Sequence, residues 1–575
     1  MRILFFTHRF GKDLVGGPEN HLWNLAVQMA RMGCQVDVAT TYPCTFSPTG
    51  RFGGEWETRA VIPYEEIAVR DAPTPICVRR FPVRQWGDPM AFFALRSLER
   101  RWEREEAAME PQQPLPAPFA QGAPLLLTGW HPLELTDAGQ QVRWTTGRAA
   151  LQLPPTEKTT LHIEAFAAHR TTIVFERLGA SEQTYSGSGH FQARVELADS
   201  AEETVAVLRV EPSSRAWSDP RTLGVRVSQV FVSQNGEVRM APLHVDHRTL
   251  RARDKETFIR TYTERAAARP ALHCWLHEQL QGPRCPGMEK FLRKNGQHYD
   301  WVLAGVLPHT TLARAARLRR RLKFRLAALP LFHVEDDTYY WRHNIEALRT
   351  ADICLANSSF AAETFFPAIG ARGFMAGAGV DEALFLAHTI SGARFRQKFS
   401  IGPDEKIVLS VGRKNRAKLY RTLAKAVEQI QERQKCRLVL VGPDEDHLAI
   451  GFPSCTYLGV LSQEDLLDAY DACDVFCLMS ESESFGIAFA EAWMRRKPVI
   501  GNRNCASVAG LIRPGENGLL ASTRQELQDH LVDLLTHPDR AAALGQAGQE
   551  MVLRKHTWRV IARRVLDHLE EAAGR

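Results

Sequence analysis

The sequence predicts an α/β protein of two units, the first interrupted by an all-β module. Three observations carry that reading. Short apolar strands alternate with amphipathic helices at both ends of the chain, which is the pattern of parallel sheets covered on both faces. A proline-rich stretch, PQQPLPAPFAQGAP at 111–124, breaks the alternation and reads as a linker. Beyond it come runs of period-two character, rich in Val, Thr and Phe and separated at short intervals by turn residues.

The chain opens on a strand at 3–6, a loop carrying Gly16-Gly17, and a helix over 18–31. Pro18 suits the first helical turn, where the amide it lacks would have had no intrahelical partner. Strands follow at 35–40 and 76–81. The period-two runs lie at 149–153, 160–166, 172–176, 193–197, 204–210 and 223–232, and they predict a sandwich or jelly roll. Helical sequence resumes near Asp254. Strands are then expected at 300–304, 329–334, 353–356, 406–411, 437–441, 475–479 and 498–500, with amphipathic helices such as 418–431 and 463–472 between them. The implied division is 1–110 and 246–385 for the first unit, 120–245 for the inserted module, 386–555 for the second unit and 556–575 for a terminal helix.

Composition bounds the function classes. At 575 residues the chain is too long for one core, and 44% hydrophobic with 24% charged residues is ordinary globular usage. A net charge of +6 is a mild bias, so no nucleic-acid partner is expected. Eleven cysteines without a Cys-x-x-Cys pair argue against a disulfide framework or a zinc site and for a reducing compartment. The apolar opening is too short for a signal peptide before His8 and Arg9, and no window reaches the ~18 apolar residues of a membrane span. The expected location is cytoplasmic.

Three constellations carry chemistry. Residues 480–492, SESESFGIAFAEA, follow an apolar strand and open an apolar helix. Amides at such a helix start, with the positive end of its dipole, favour an anion such as a diphosphate. Glu483 and Glu491 are eight residues apart, about 12 Å along a helix at ~1.5 Å per residue, which lets them flank an anion. Two surface glutamates beside a buried strand would show the same spacing. Residues 411–418, VGRKNRAK, end another strand, where ligands of open α/β sheets bind. Arg413 as a fork and Lys418 as a point charge there suit a departing diphosphate, although a solvated basic turn has the same composition. Gly16-Gly17 at a helix start is the third, and paired glycines also serve turn geometry alone.

Together and in this order, these stretches resemble the retaining glycosyltransferases of family 4, which have the GT-B fold. GGPENHLWNLA at 16–26, ANSSF at 356–360, GVD at 379–381, VGRKNRAK at 411–418, ESFGIAFAEA at 483–492 and PGENGLL at 514–520 carry the resemblance over about 1–105 and 250–560. It implies two Rossmann-like domains facing a cleft. It further implies that Glu483 contacts the donor sugar, Glu491 the ribose, and the amides of Phe485, Gly486 and Ile487 the diphosphate. Arg413 and Lys418 would stabilise the leaving group, and Gly16 and Gly17 would let the first domain approach the donor. His309 resembles the family's active-site histidine, and His333 is a second candidate. Retention is expected without a protein nucleophile, the leaving phosphate accepting the acceptor's proton on the same face. No metal and no cofactor are expected, and Asp444-Glu445-Asp446 reads as a solvated loop. Met479, Leu419 and Arg495-Arg496-Lys497 depart from the family's proline, glycine and small-residue pattern.

The implied function is transfer of a sugar from a nucleotide-diphosphate donor to a glycan or lipid-linked acceptor in polysaccharide or glycolipid assembly. An inactive GT-B scaffold that binds glycans, or a nucleotide-sugar epimerase or phosphorylase, are the alternatives. The insertion weakly resembles carbohydrate-binding modules at 129–134, 143–145 and 218–227, with Trp130, Trp144 and Trp217 able to stack on sugars or to fill a core. Finally, basic residues crowd 314–325 around Leu318, Leu322 and Phe324, a pattern that suits peripheral contact with anionic lipid or a solvated helix face.

Overall fold

A strand buried on both faces needs an apolar run instead of an alternation, and β1 (Arg2–Thr7) is such a run, buried from Ile3 onward. The computed structural model describes residues 1–11, 17–41, 63–83, 125–135, 141–154, 156–176, 183–200, 204–211, 225–235, 237–240, 255–269, 271–282 and 284–574. It divides into two compact units, Met1–Asp88 with Glu278–Arg575, and Pro89–His277. In the first unit β1 leads through α1 (Gly17–Arg31) to β2 (Gln35–Thr41), then β3 (Tyr64–Ile67) and β4 (Ile76–Phe81). The strands expected at 3–6, 35–40 and 76–81 are therefore present with nearly those limits.

The second unit holds β5 (Leu125–Leu135), β6 (Gln141–Leu153), β7 (Thr159–Glu176), β8 (Gln183–Glu196), β9 (Thr204–Glu211), β10 (Arg226–Gln234) and β11 (Glu237–Met240). Their pairing corrects the expected stack of two sheets. β9 pairs with both β6 and β7, and β10 pairs with both as well, so β6, β9, β7 and β10 close a hydrogen-bonded ring. β7 makes closure possible by joining the two runs expected at 160–166 and 172–176. Its first half lies on β10 and its second on β9, with an irregularity between Ala167 and Thr171 where a bulge bends the strand. Leu151, Leu161, Ile163, Ile173, Phe175, Leu208 and Val230 form the enclosed core. Helix α2 (Lys255–Ala268) follows, and the limit of the unit falls inside α3 (Ala271–Gln281).

The first unit resumes with α4 (Pro286–Asn295), β12 (Trp301–Gly305), α5 (Thr311–Arg319), β13 (Leu326–Ala328), α6 (Arg342–Thr350), β14 (Ile353–Ala356) and β15 (Gly373–Met375). These complete an eight-stranded sheet in the order β15-β14-β13-β12-β1-β2-β4-β3, parallel except for β3. The strand expected at 329–334 is corrected: β13 stops at Ala328, because Pro330 has no amide to donate and Leu331 turns to φ 49°. The apolar run continues as a buried loop that carries His333 and Glu335 beyond the sheet.

A second lobe of the same unit comprises α7 (Gly392–Lys398), β16 (Lys406–Val411), α8 (Tyr420–Gln429), β17 (Cys436–Val441), β18 (Cys455–Tyr457), α9 (Gln463–Ala472), β19 (Val475–Leu478), α10 (Ile487–Met494), β20 (Val499–Asn502), α11 (Ala506–Leu511), β21 (Leu519–Ala521), α12 (Arg524–Thr536) and α13 (Pro538–Lys555). Its six parallel strands run β18-β17-β16-β19-β20-β21, the Rossmann order 3-2-1-4-5-6 counted from β16. Alternate residues enter opposite clusters: Ile407, Leu409, Val439 and Phe476 on one face, Val408, Leu438, Leu440 and Val475 on the other. The sheet is thus covered on both sides. Helix α14 (Trp558–Ala572) returns to the first lobe, where Trp558, Ile561, Val565, Leu566 and Leu569 complete the core beneath β1 and β12.

Candidate active site

In an open α/β sheet the crevice lies beyond the strand ends where the winding reverses. In the second lobe that point falls between β16 and β19, from which the 412–418 turn and the 479–486 loop emerge. The turn is pinned from below. Gly412 N donates to Val441 O at 2.9 Å and Lys414 N to Pro443 O at 2.8 Å. Gly442 permits the approach, since a Cβ there would lie 2.0 Å from Gly412 O. The Lys414 ammonium, nearly buried, bonds Asp444 at 2.7 Å, Asp446 at 2.5 Å and Leu448 O at 2.9 Å. Burial opposes its charge, but the two aspartates outweigh burial and hold its pKa above the usual lysine range. The acidic loop read as solvated is therefore a clamp on Lys414.

Above the clamp the turn presents its other cations. Asn415 Oδ1 accepts from Lys418 N at 3.3 Å, and Arg413, more than half exposed, reaches Glu445 at 3.2 Å. Lys418 Nζ meets Glu483 Oε1 at 2.5 Å. Leu419 takes the left-handed conformation, φ 47°, a backbone region that favours glycine.

Glu483 belongs to the loop and not to a helix, which corrects the 12 Å spacing argument: α10 begins only at Ile487. The loop is fixed by Glu481 N to Ala417 O at 2.8 Å and by Ser507 Oγ, which donates to Glu483 O at 2.6 Å. Gly486, at φ 90°, turns the chain into α10, and no side chain caps that helix start. Glu491 lies one turn in, its Oε2 accepting from Tyr470 Oη at 2.6 Å. The two carboxyls differ electrostatically. For Glu483, burial favours the neutral acid, but the Lys418 ammonium and hydrogen bonds outweigh it and hold the group below the usual carboxylate range. For Glu491, burial prevails over the tyrosine hydrogen bond and raises it.

The first lobe reverses its winding between β1 and β12, and a histidine follows each of these strands. His8 and His309 meet edge to face with ring centroids 4.6 Å apart, and burial brings His309 down to about 4. His8 Nδ1 shares a hydrogen bond of 2.9 Å with Thr41 Oγ1. His333 stacks on Tyr339 at 5.3 Å; burial lowers its pKa against the opposing pull of Glu483, so it is held as neutral imidazole beside that carboxylate. Glu335, two residues on, is almost wholly buried and accepts from Ala506 N at 2.6 Å. Sequence reasoning missed Glu335 and Lys414 as working residues; the carboxylate pair two and four positions beyond Gly442 was the available signal for Lys414.

Of the expected site residues, the structure brings Arg413, Lys418, Glu483, Phe485, Gly486, Ile487 and Glu491 to one switch point. His309 occupies that of the first lobe, and Gly17 begins α1. Gly16 lies outside the described residues, as do Trp217 and the side chain of Trp130. Trp144 is half-buried with the Arg226 guanidinium 6.0 Å from its ring centre. In the basic segment 314–325, Leu318 and Phe324 are buried in the core, whereas Leu322 is half-buried. Arg314, Arg317 and Arg319 pair with Glu289, Glu278 and Asp352. Among the described residues no cluster of His, Cys, Asp or Glu is arranged to hold a metal ion, and no helix is long and apolar enough to cross a membrane.

Residues 392–551 match the model of the family glycosyl transferases group 1. The matched segment spans nearly all of the second lobe, whose six parallel strands follow the doubly wound order. A GDP-mannose-dependent alpha-(1-6)-phosphatidylinositol monomannoside mannosyltransferase of Mycobacterium tuberculosis is 27% identical over 209 residues, 33% of this chain and 54% of the relative. A D-inositol 3-phosphate glycosyltransferase of Rhodococcus jostii is 32% identical over 173 residues, 26% of this chain and 37% of the relative. The chain spans about half or less of the length of these curated relatives. Among solved structures, Anabaena HepE in complex with UDP and glucose aligns with a TM-score of 0.44 at 18% identity, covering 55% of this chain and 96% of that one.

Proposed function

We propose that this protein is a retaining glycosyltransferase that moves a sugar from a nucleotide-diphosphate donor to a glycan or lipid-linked acceptor. One observation carries the reading: two cations on a clamped turn, a buried ionised carboxylate and an uncapped helix start converge at the switch point of the lobe that matches glycosyl transferases group 1. The diphosphate lies against the start of α10, with Arg413 and Lys418 on its oxygens and Glu491 toward the ribose. Glu483 holds hydroxyls of the transferred sugar, with His309 on the first-lobe side. The bond between the anomeric carbon and the phosphate oxygen breaks, and the acceptor oxygen bonds that carbon on the same face. The acceptor's proton passes to the departing phosphate. Negative charge on the diphosphate grows as the bond breaks, so interactions with Arg413 and Lys418 strengthen in the transition state and accelerate the step. The two cations and the helix amides offset that charge without a divalent ion, and EDTA is expected to leave turnover unchanged.

The relatives name GDP-mannose and the solved structure holds UDP, so the test uses UDP-glucose, GDP-mannose and ADP-glucose in a thermal-shift assay. A donor at 100 times its Kd stabilises the native state by about 2.7 kcal/mol, and at least one should raise the melting temperature. Lys418→Ala should abolish that shift. Glu483→Ala should keep UDP or GDP binding but lose donor hydrolysis at least tenfold. If no nucleotide sugar shifts the wild type, or Glu483→Ala hydrolyses donor at the wild-type rate, the proposal fails, the second result favouring an inactive scaffold.

A further inference from the structure

Glu335 comes from the loop after β13 in the first lobe, yet it accepts hydrogen bonds from two residues of the second. One carboxylate oxygen accepts from Ala506 N at 2.6 Å, and the other lies 3.4 Å from Ser482 Oγ. The carboxyl is 1% exposed. Burying a carboxyl at this depth is costly unless donors meet it, so the donors that do are held in place with it. Those partners bracket Glu483. Ser482 is its immediate neighbour, and Ala506 precedes Ser507, whose hydroxyl holds the Glu483 carbonyl at 2.6 Å. Cys505, at the N-cap of α11, supplies no side-chain hydrogen bond to that helix start, so the acceptor there is provided by the other lobe. Glu483 in turn directs its carboxylate at Lys418.

We propose that Glu335 is a positioning residue: its carboxylate, reaching across from the first lobe, locks the Ser482–Glu483 loop and the 505–507 turn together and so sets the Glu483–Lys418 pair in its working geometry. This deepens the reading of the site as a donor pocket and rests on it. Glu335 does not touch the reacting atoms. It acts through the loop that carries the group that does. The break of β13 at Pro330 and Leu331 is what delivers the carboxylate there, since a continued strand would keep the segment in the sheet.

Glutamine keeps an acceptor for Ala506 N and a polar group for Ser482, whereas alanine keeps neither, so the two variants separate positioning from charge. Backbone hydrogen exchange of the full chain reads the lock directly. Glu335→Ala should raise exchange in the 504–510 and 480–486 segments at least tenfold and leave β16 and β17 as in the wild type, and Glu335→Gln should restore most of the protection. With UDP-glucose and GDP-mannose as donors, Glu335→Ala should lower kcat at least tenfold with donor KM changed less than threefold, and Glu335→Gln should recover most of kcat. Unchanged exchange at 504–510 in Glu335→Ala overturns the proposal, as does wild-type kcat in a variant whose exchange has risen. If exchange behaves as expected but the wild type neither binds nor turns over any nucleotide sugar, the lock stands and the donor-pocket reading falls.

Discussion

At the scale of single residues, the site rests on two backbone positions where side chains occupy glycine's territory. Leu419 lies at φ 47° directly after Lys418, and Arg496 at φ 55° follows α10. A non-glycine residue in the left-handed region costs about 1 kcal/mol or more. Gly545 allows α13 to pack against Arg496, since a Cβ on it would stand 2.0 Å from Arg496 O, and Arg496 Nε donates to Gln549 Oε1 at 2.8 Å. Leu419 has no comparable polar anchor for its side chain and packs at the edge of the β16 core. The clean comparison is therefore Leu419→Ala against Leu419→Gly, which remove the same contacts. Glycine should be the more stable variant by about 1 kcal/mol, the reverse of the order in a helix interior. Chemical unfolding of the two variants checks it, and alanine equal to or above glycine would contradict the strain argument.

At the scale of elements, the phosphate-facing turn depends on the Lys414 clamp more than on its own sequence. Replacing Lys414 by Met leaves Asp444 and Asp446 facing each other without their cation. Both aspartates reach water, so the cost should be about 2–3 kcal/mol, below the ~3–5 kcal/mol of breaking a fully buried pair. Loosening the turn should also weaken UDP or GDP binding, although Lys414 itself is directed away toward β17. A urea midpoint and a nucleotide titration on Lys414→Met read both effects, and loss of neither would show the turn to be self-supporting. This dependence also marks what the sequence could tell. Segments of one element each, such as 353–356, 406–411 and 463–472, match β14, β16 and α9 residue for residue, because burial on both faces of a strand gives an apolar run and burial of one helix face gives a helical period. Arg413, Lys418, Glu483 and Glu491 were legible because a strand end followed by a turn or helix start fixes them locally. Lys414 and Glu335 were not, since their meaning lies in partners 30 and 171 positions away. The bend of β7 was hidden for the same reason: two period-two runs look alike whether they belong to two strands or to one that changes partners.

At the scale of the whole molecule, the paired-lobe unit buries histidines that must stay neutral. His21 of α1 stands edge-on to Trp558 of α14 at 5.1 Å, at the joint where the terminal helix closes the first lobe. Burial holds His21, His309 and His556 each at about 4, against ~6.5 in an unfolded chain. Between these values the unfolded state binds protons that the native state refuses, so stability rises with pH across the window and is lost as pH falls from about 6.5 toward 4. Each histidine contributes at most on the order of 3 kcal/mol over that interval. Glu491, raised by burial, works the other way, because its protonation on acidification relieves the native state. These three histidines, with His8 and His333 shifted the same way by burial, outweigh one carboxyl, and the melting temperature should drop between pH 7 and pH 5. His21→Phe keeps an aromatic ring against Trp558 while removing one of at least five such titrating groups, so it should flatten the slope by roughly a fifth without lowering the melting temperature at pH 7.5. A profile that is level from pH 7 to 5, or a His21→Phe variant as acid-sensitive as the wild type, would mean that water reaches the α1–α14 joint and that the terminal helix does not seal the lobe as its packing indicates.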